Sequence, residues 1–109
     1  MNVQLPDSIA SFFQASNGSK APALEQAFTE NAVVHDENRT HQGHDAIRAW
    51  LQEAKRKYAY TVEPLDVVHQ GSTVKVRTRV SGSFPGSPVE LLHVFRLNGG
   101  RIESLEIGR

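Results

Sequence analysis

At 109 residues the chain has the length of one domain, expected to span residues 1–109, and too little for two. Its 39% hydrophobic and 22% charged residues describe a globular protein, and twelve basic against twelve acidic residues leave no net charge to draw it to nucleic acid or an anionic membrane. With no cysteine there is no disulfide framework, thiol nucleophile or Cys-based zinc site. Met1 to Pro6 lacks the basic-then-apolar pattern of a secretory leader, and no run approaches the ~18 consecutive apolar residues of a membrane helix. The cytoplasm is therefore the expected location. No cofactor motif is read.

The first predicted element is a helix after Pro6, capped by Asp7 or Ser8, with Ile9, Phe12, Phe13 and Ser16 at helical spacing. Asn17-Gly18-Ser19 stops it, because Gly18 accepts the left-handed conformation a helix end favours. Pro22 suits the first turn of a second helix carrying Leu24, Ala27 and Phe28. Ala32 to His35 reads as a short strand and Asp36 to Gly43 as a polar loop. A third helix opens at His44-Asp45, with Asp45 as cap and Ala46, Ile47, Trp50, Leu51 and Ala54 as its apolar face.

From Tyr58 the pattern changes to period two. Tyr60 to His69 is a strand, bulged at Pro64 and so placed at a sheet edge or bend, because proline cannot donate to a ladder. Gln70-Gly71-Ser72 turns the chain into Thr73–Ser83, where Val74, Val76, Thr78 and Val80 alternate with Lys75, Arg77 and Arg79. Pro85-Gly86-Ser87-Pro88 leads into a strand at Val89–Leu97. Asn98-Gly99-Gly100 then makes a hairpin to the last strand, Arg101–Ile107. Three helices beside an antiparallel sheet make an α+β fold.

Two stretches carry a family pattern. One is Phe28-Thr29-Glu30-Asn31-Ala32-Val33-Val34-His35-Asp36 followed by Gly43-His44-Asp45-Ala46-Ile47-Arg48; the other is His93-Val94-Phe95-Arg96-Leu97-Asn98-Gly99-Gly100-Arg101-Ile102. Together with the order of elements over Asp7 to Ile107, they resemble the nuclear transport factor 2-like superfamily, which includes SnoaL-like polyketide cyclases and ketosteroid isomerase. The resemblance implies a single SnoaL-like domain in which three N-terminal helices pack on a curved antiparallel sheet. It forms a cone around an apolar pocket for a small molecule. Val74, Val76, Thr78, Val80, Val89, Leu91, His93, Phe95 and Leu97 would line the concave face, with Phe12, Phe13, Phe28, Ile47, Trp50 and Leu51 from the helices.

Asp36 resembles the general base of ketosteroid isomerase, where an Asp works beside an oxyanion hole made of a Tyr and a protonated Asp. A carboxylate against apolar walls is poorly solvated, so its pKa rises and it becomes a stronger base. Alternatively, an Asp that ends a strand serves only to bond its own loop. His93 falls where the resemblance places the neutral Asp donor. Its expected role is a hydrogen-bond donor or partner acid to Asp36, the alternative being a core histidine bonded to a backbone carbonyl. The oxyanion Tyr corresponds to Phe12, which has no hydroxyl, so steroid isomerisation is not implied.

The expected catalytic pair is therefore Asp36 and His93, and the expected pocket residues are Phe12, Trp50, Tyr60, Val76, Thr78, Leu91 and Phe95. Tyr60 would supply a pocket hydroxyl if its strand phase turns it inward. His35, Asp36, His41 and His44 are metal-ligand types in one stretch, but their spacing matches no zinc motif, and no metal is expected. Leu92 and Val94, with Glu90 and Arg96 at the edges, share the outer sheet face with the Lys75, Arg77 and Arg79 row. An apolar centre with a charged rim suggests a protein interface, and because relatives commonly pair through this sheet face the resemblance implies a homodimer. Acid–base chemistry on an apolar, oxygen-bearing metabolite, of isomerase, cyclase or hydrolase type, and non-catalytic binding or dimerisation are the two functional readings.

Overall fold

The computed structural model describes residues 4–18 and 24–108. Its elements in chain order are α1 (Asp7–Ser16), α2 (Leu24–Ala27), β1 (Phe28–Asp36), β2 (Arg39–Gln42), α3 (His44–Tyr58), β3 (Thr61–Gln70), β4 (Thr73–Ser81), β5 (Val89–Asn98) and β6 (Arg101–Gly108). One six-stranded sheet runs in the order β2-β1-β6-β5-β4-β3. The architecture is α+β, as the change of period predicts.

The sheet is mixed rather than antiparallel throughout, because β1 pairs parallel with β6 while the other neighbours are antiparallel. The second helix is a single turn. Phe28 and Thr29, both strand formers, end it and begin β1. Ser19, read as part of the stop of the first helix, and Pro22, read as the first turn of the second, lie outside the described residues. The loop predicted over Asp36–Gly43 instead contains β2. Glu37 and Asn38 take φ of 54° and 62°, and this two-residue left-handed turn sets Asp36 opposite Arg39.

Neither predicted side-chain cap forms. Pro6 and Gly43 occupy the cap positions of α1 and α3, and Asp45 instead pairs with Arg48 in the first turn of α3 at 3.2 Å. The bulge at Pro64 is present as a register shift between Pro64 and Asp66, and β3 is an edge strand. A bend there removes the ladder bond that proline cannot supply.

The core lies between the helices and the inward face of the sheet. Phe12, Phe28 and Phe95 are buried there with Ile9, Ile47, Ile102, Leu105, Val34, Val74 and Val76. Each such side chain is worth roughly 1.5–3 kcal/mol of burial. Phe12 is central, with Phe13, Phe28 and Phe95 edge-on to it at 5.4, 5.9 and 5.7 Å.

Asn17 joins α1 to β3, since its side-chain amide donates to Val62 O (3.0 Å) and accepts from Val62 N (2.7 Å). The Lys55 ammonium donates to Ser16 O and so ties α3 to the end of α1. Among the described residues no helix is long and apolar enough to cross a membrane.

Candidate functional site

Between α1, α3 and the strands lies a cavity of about 550 Å³ with mainly apolar walls. Asp36, His93, Phe12, Trp50, Tyr60 and Leu91 of the expected set all line it. Val76, Thr78 and Phe95 share their inward face but lie fully buried beneath the wall. Alternation fixes which side of a sheet a residue takes, not its depth below the cavity.

Several lining residues escaped the sequence reading. Glu37 comes from the β1–β2 turn, Phe84 and Pro85 from the β4–β5 connection, and Ile107 from β6. Tyr58 closes the end of α3, with its hydroxyl on Glu37 Oε1 (3.0 Å) and its ring edge-on to Phe84 (5.9 Å). Gly82 permits this closure. A Cβ there would stand 2.7 Å from Tyr58 O and 2.9 Å from Tyr60 Cα, closer than real side chains pack. A glycine inside the predicted Thr73–Ser83 strand was the available signal.

Asp36 is in phase with buried Ala32 and Val34, so the strand turns it inward and turns His35 outward. The Trp50 indole N–H donates to Asp36 Oδ2 at 3.0 Å. Trp50 is held in turn by parallel stacking on Phe12, with centroids 6.2 Å apart and planes 2° apart. Burial raises the carboxyl pKa above its ordinary 3.8, and the indole hydrogen bond partly offsets that rise. Asp36 is thus a carboxylate strengthened as a base and aimed by α3, not by its own loop alone.

Tyr60 also reaches the wall. Burial raises its phenol pKa, the Ser16 side chain opposes the rise and the Asp36 charge adds to it, so the hydroxyl keeps its proton. Its ring carries Lys55 Nζ at 5.3 Å from the centroid.

His93 is only 3% exposed and is ringed by Phe13, Phe95 and Phe12 at 5.4, 6.1 and 6.2 Å. Burial among apolar rings disfavours imidazolium and pushes the pKa down to about 3. Its Nδ1 lies 3.3 Å from Thr78 Oγ1, which lies 3.1 Å from Leu91 O. A carbonyl only accepts, so the single Thr78 proton goes to Leu91 O. The hydroxyl oxygen then accepts from Nδ1–H, the one assignment that makes both bonds.

In that assignment neutral His93 carries its proton at Nδ1 and leaves Nε2 as an acceptor. A ring whose proton is committed to Thr78 and whose pKa is about 3 has no proton to offer from Nε2 near neutral pH. The Tyr60 hydroxyl is a donor on the wall, beside the Trp50 indole and the Tyr58 hydroxyl, which are bonded to Asp36 and Glu37.

Three of the other histidines have structural partners. His35 Nδ1 meets Thr40 Oγ1 (3.1 Å), His44 Nε2 donates to the carbonyls of Phe28 (3.1 Å) and Thr29 (3.0 Å), and His41 packs on Trp50 at 6.0 Å. Among the described residues no three His, Asp or Glu side chains are grouped to hold a metal ion.

Comparison with known proteins agrees with this architecture. The family model of the SnoaL-like domain matches residues 9–105. A Sinorhizobium meliloti protein named as a candidate polyketide cyclase is 44% identical, with 94% of each chain covered and a TM-score of 0.89. A Catenulispora acidiphila protein with a ketosteroid isomerase-like fold, solved with trimethylamine, is 18% identical, with 97% of this chain and 87% of that one covered and a TM-score of 0.83. The epoxide hydrolase/cyclase-like enzyme SalBIII, of pyran ring formation in salinomycin, is 23% identical over 94% of this chain and 87% of its own, with a TM-score of 0.76. The last two likenesses concern the fold alone. A search of the curated proteins returned no match. The chain belongs to the SnoaL-like domain family, on a nuclear transport factor 2-like, ketosteroid isomerase-like fold.

Proposed function

We propose that this protein is a small-molecule enzyme that uses Asp36 as general base on an apolar, oxygen-bearing metabolite. The observation that carries the reading is a carboxylate with raised pKa on the wall of a mainly apolar cavity. Asp36 would take a proton from a carbon beside a carbonyl, or from a hydroxyl closing a ring. The Tyr60 hydroxyl would hydrogen-bond the oxygen on which charge develops. The 44% likeness to a candidate polyketide cyclase favours ring closure among the isomerase, cyclase and hydrolase types. A panel of enolisable ketones, hydroxy-epoxides and aryl esters, followed by mass spectrometry, is expected to contain a compound turned over by the wild type and not by Asp36→Asn. Equal turnover by both proteins would refute the assignment.

A second copy of the chain is the partner we propose for the outer sheet face. Leu92 and Val94 are half-buried at its centre, and Arg77 reaches Asp66 (2.8 Å) and Glu90 (2.7 Å) beside them. Leu92→Asp or Val94→Asp is expected to halve the mass seen in sedimentation equilibrium, whereas an unchanged mass would sink the dimer. If association depended on these residues and no chemistry depended on Asp36, the non-catalytic reading would stand instead.

A further inference from the structure

We propose that the His93 end of the cavity selects a ligand hydroxyl, with Thr78 as the positioning residue that presents the Nε2 lone pair to it. This deepens the pocket reading above and rests on it. The Thr78 hydroxyl has one proton, and Leu91 O is bonded to it; Nδ1 of His93 must therefore supply the proton of the Thr78–His93 contact. Thr78 and His93 are both inward-facing, and the pairing of Thr78 with Leu91 and of Val76 with His93 makes them diagonal neighbours across β4 and β5. The contact is thus built into the strand register.

Nε2 has no hydrogen-bond partner among the described residues. His93 lines the cavity, and with Nδ1 turned to Thr78, Nε2 is the ring nitrogen left for a ligand. The surrounding phenyl rings offer Nε2 no donor. A ligand carbonyl or ether oxygen placed there would oppose one lone pair with another. An alcohol, enol or carboxylic acid O–H would satisfy both groups. The site therefore discriminates by donor capacity, not by the mere presence of oxygen, and leaving the buried acceptor unpaired is what penalises the wrong ligand.

Two measurements test this. The first is long-range proton–nitrogen NMR at neutral pH on protein labelled at histidine. His93 is expected to show a protonated, pyrrole-type Nδ1 and an unprotonated, pyridine-type Nε2. In Thr78→Val the Nε2–H form should appear, while a merely structural role for Thr78 would leave the tautomer unchanged. A wild-type Nε2–H ring would overturn the proposal.

The second is titration with 1-naphthol and with 1-methoxynaphthalene, which have similar bodies but differ in the O–H. The naphthol is expected to bind about fivefold to tenfold more tightly, the size of one net hydrogen bond. The ratio should fall toward one in Thr78→Val and persist in Asp36→Asn, which separates His93 from the Asp36 carboxylate. Equal wild-type affinities, or a preference lost only in Asp36→Asn, would overturn the proposal. If neither compound bound, the pocket reading would fall and the hydroxyl preference with it, whatever the tautomer.

Discussion

Asp36→Asn is expected to lower turnover by about a hundredfold to ten-thousandfold, the usual contribution of a positioned general base. The variant isolates the chemistry from the fold. An asparagine oxygen still accepts the Trp50 indole proton, so the bond at 3.0 Å and the Phe12–Trp50 stack behind it have no reason to move. What disappears is a basic oxygen. Replacing a poorly solvated charge by a neutral amide also removes a desolvation cost, so folding stability should hold or rise. A variant that lost activity by unfolding would show it in its denaturation midpoint. One that kept both its fold and its activity would contradict the role given to Asp36.

The second large effect concerns stability against acid. His93 has an ordinary pKa of 6.5 when unfolded and about 3 when folded. A depressed folded value means that the unfolded chain takes up the proton first. The stability linked to His93 is fully present above about pH 6.5 and is lost progressively as pH falls toward about 3. The limiting slope is about 1.4 kcal/mol per pH unit. His93→Leu removes this titration without orphaning Thr78, whose proton remains on Leu91 O.

Urea unfolding near pH 6.5 and pH 4.5 should therefore show the variant gaining about 2–3 kcal/mol on the wild type across that interval. Asp36 acts in the opposite sense, because its raised pKa makes the ionised form costly and favours the folded state as pH falls. It is present in both proteins, so the difference between them reports His93. Parallel pH dependences would show that His93 is not buried as a neutral ring.

Much of the sheet could be read from residue order because its determinants are local. Period two over Val74–Val80, the turn at Gly71 and the positive φ at Gly99 and Gly100 all appear where the residues ask for them. The hairpin at Glu37-Asn38 was hidden because no glycine marks its left-handed turn. The β1–β6 pair was hidden for another reason: a parallel contact between distant segments leaves no trace in either one's periodicity.

The site divides the same way. Inward phase places Asp36 and His93 on the wall; for His93 it was visible in Leu91-His93-Phe95, whereas Asp36, read as the start of a loop, was singled out by the family resemblance. His93's proton was not, since its position depends on which cross-strand neighbour Thr78 bonds. Nor were Glu37, Phe84 and Pro85, which reach the cavity from connections whose course only the packed fold determines.

The most direct test of a desolvated base on an apolar wall is a carboxyl-carbon NMR titration of Asp36 in the wild type and in Trp50→Phe. The wild-type midpoint should lie above 3.8, and loss of the indole donor should move it higher still. A midpoint at or below 3.8 would mean a well-solvated, loop-bound carboxylate, and would contradict Asp36 as the base.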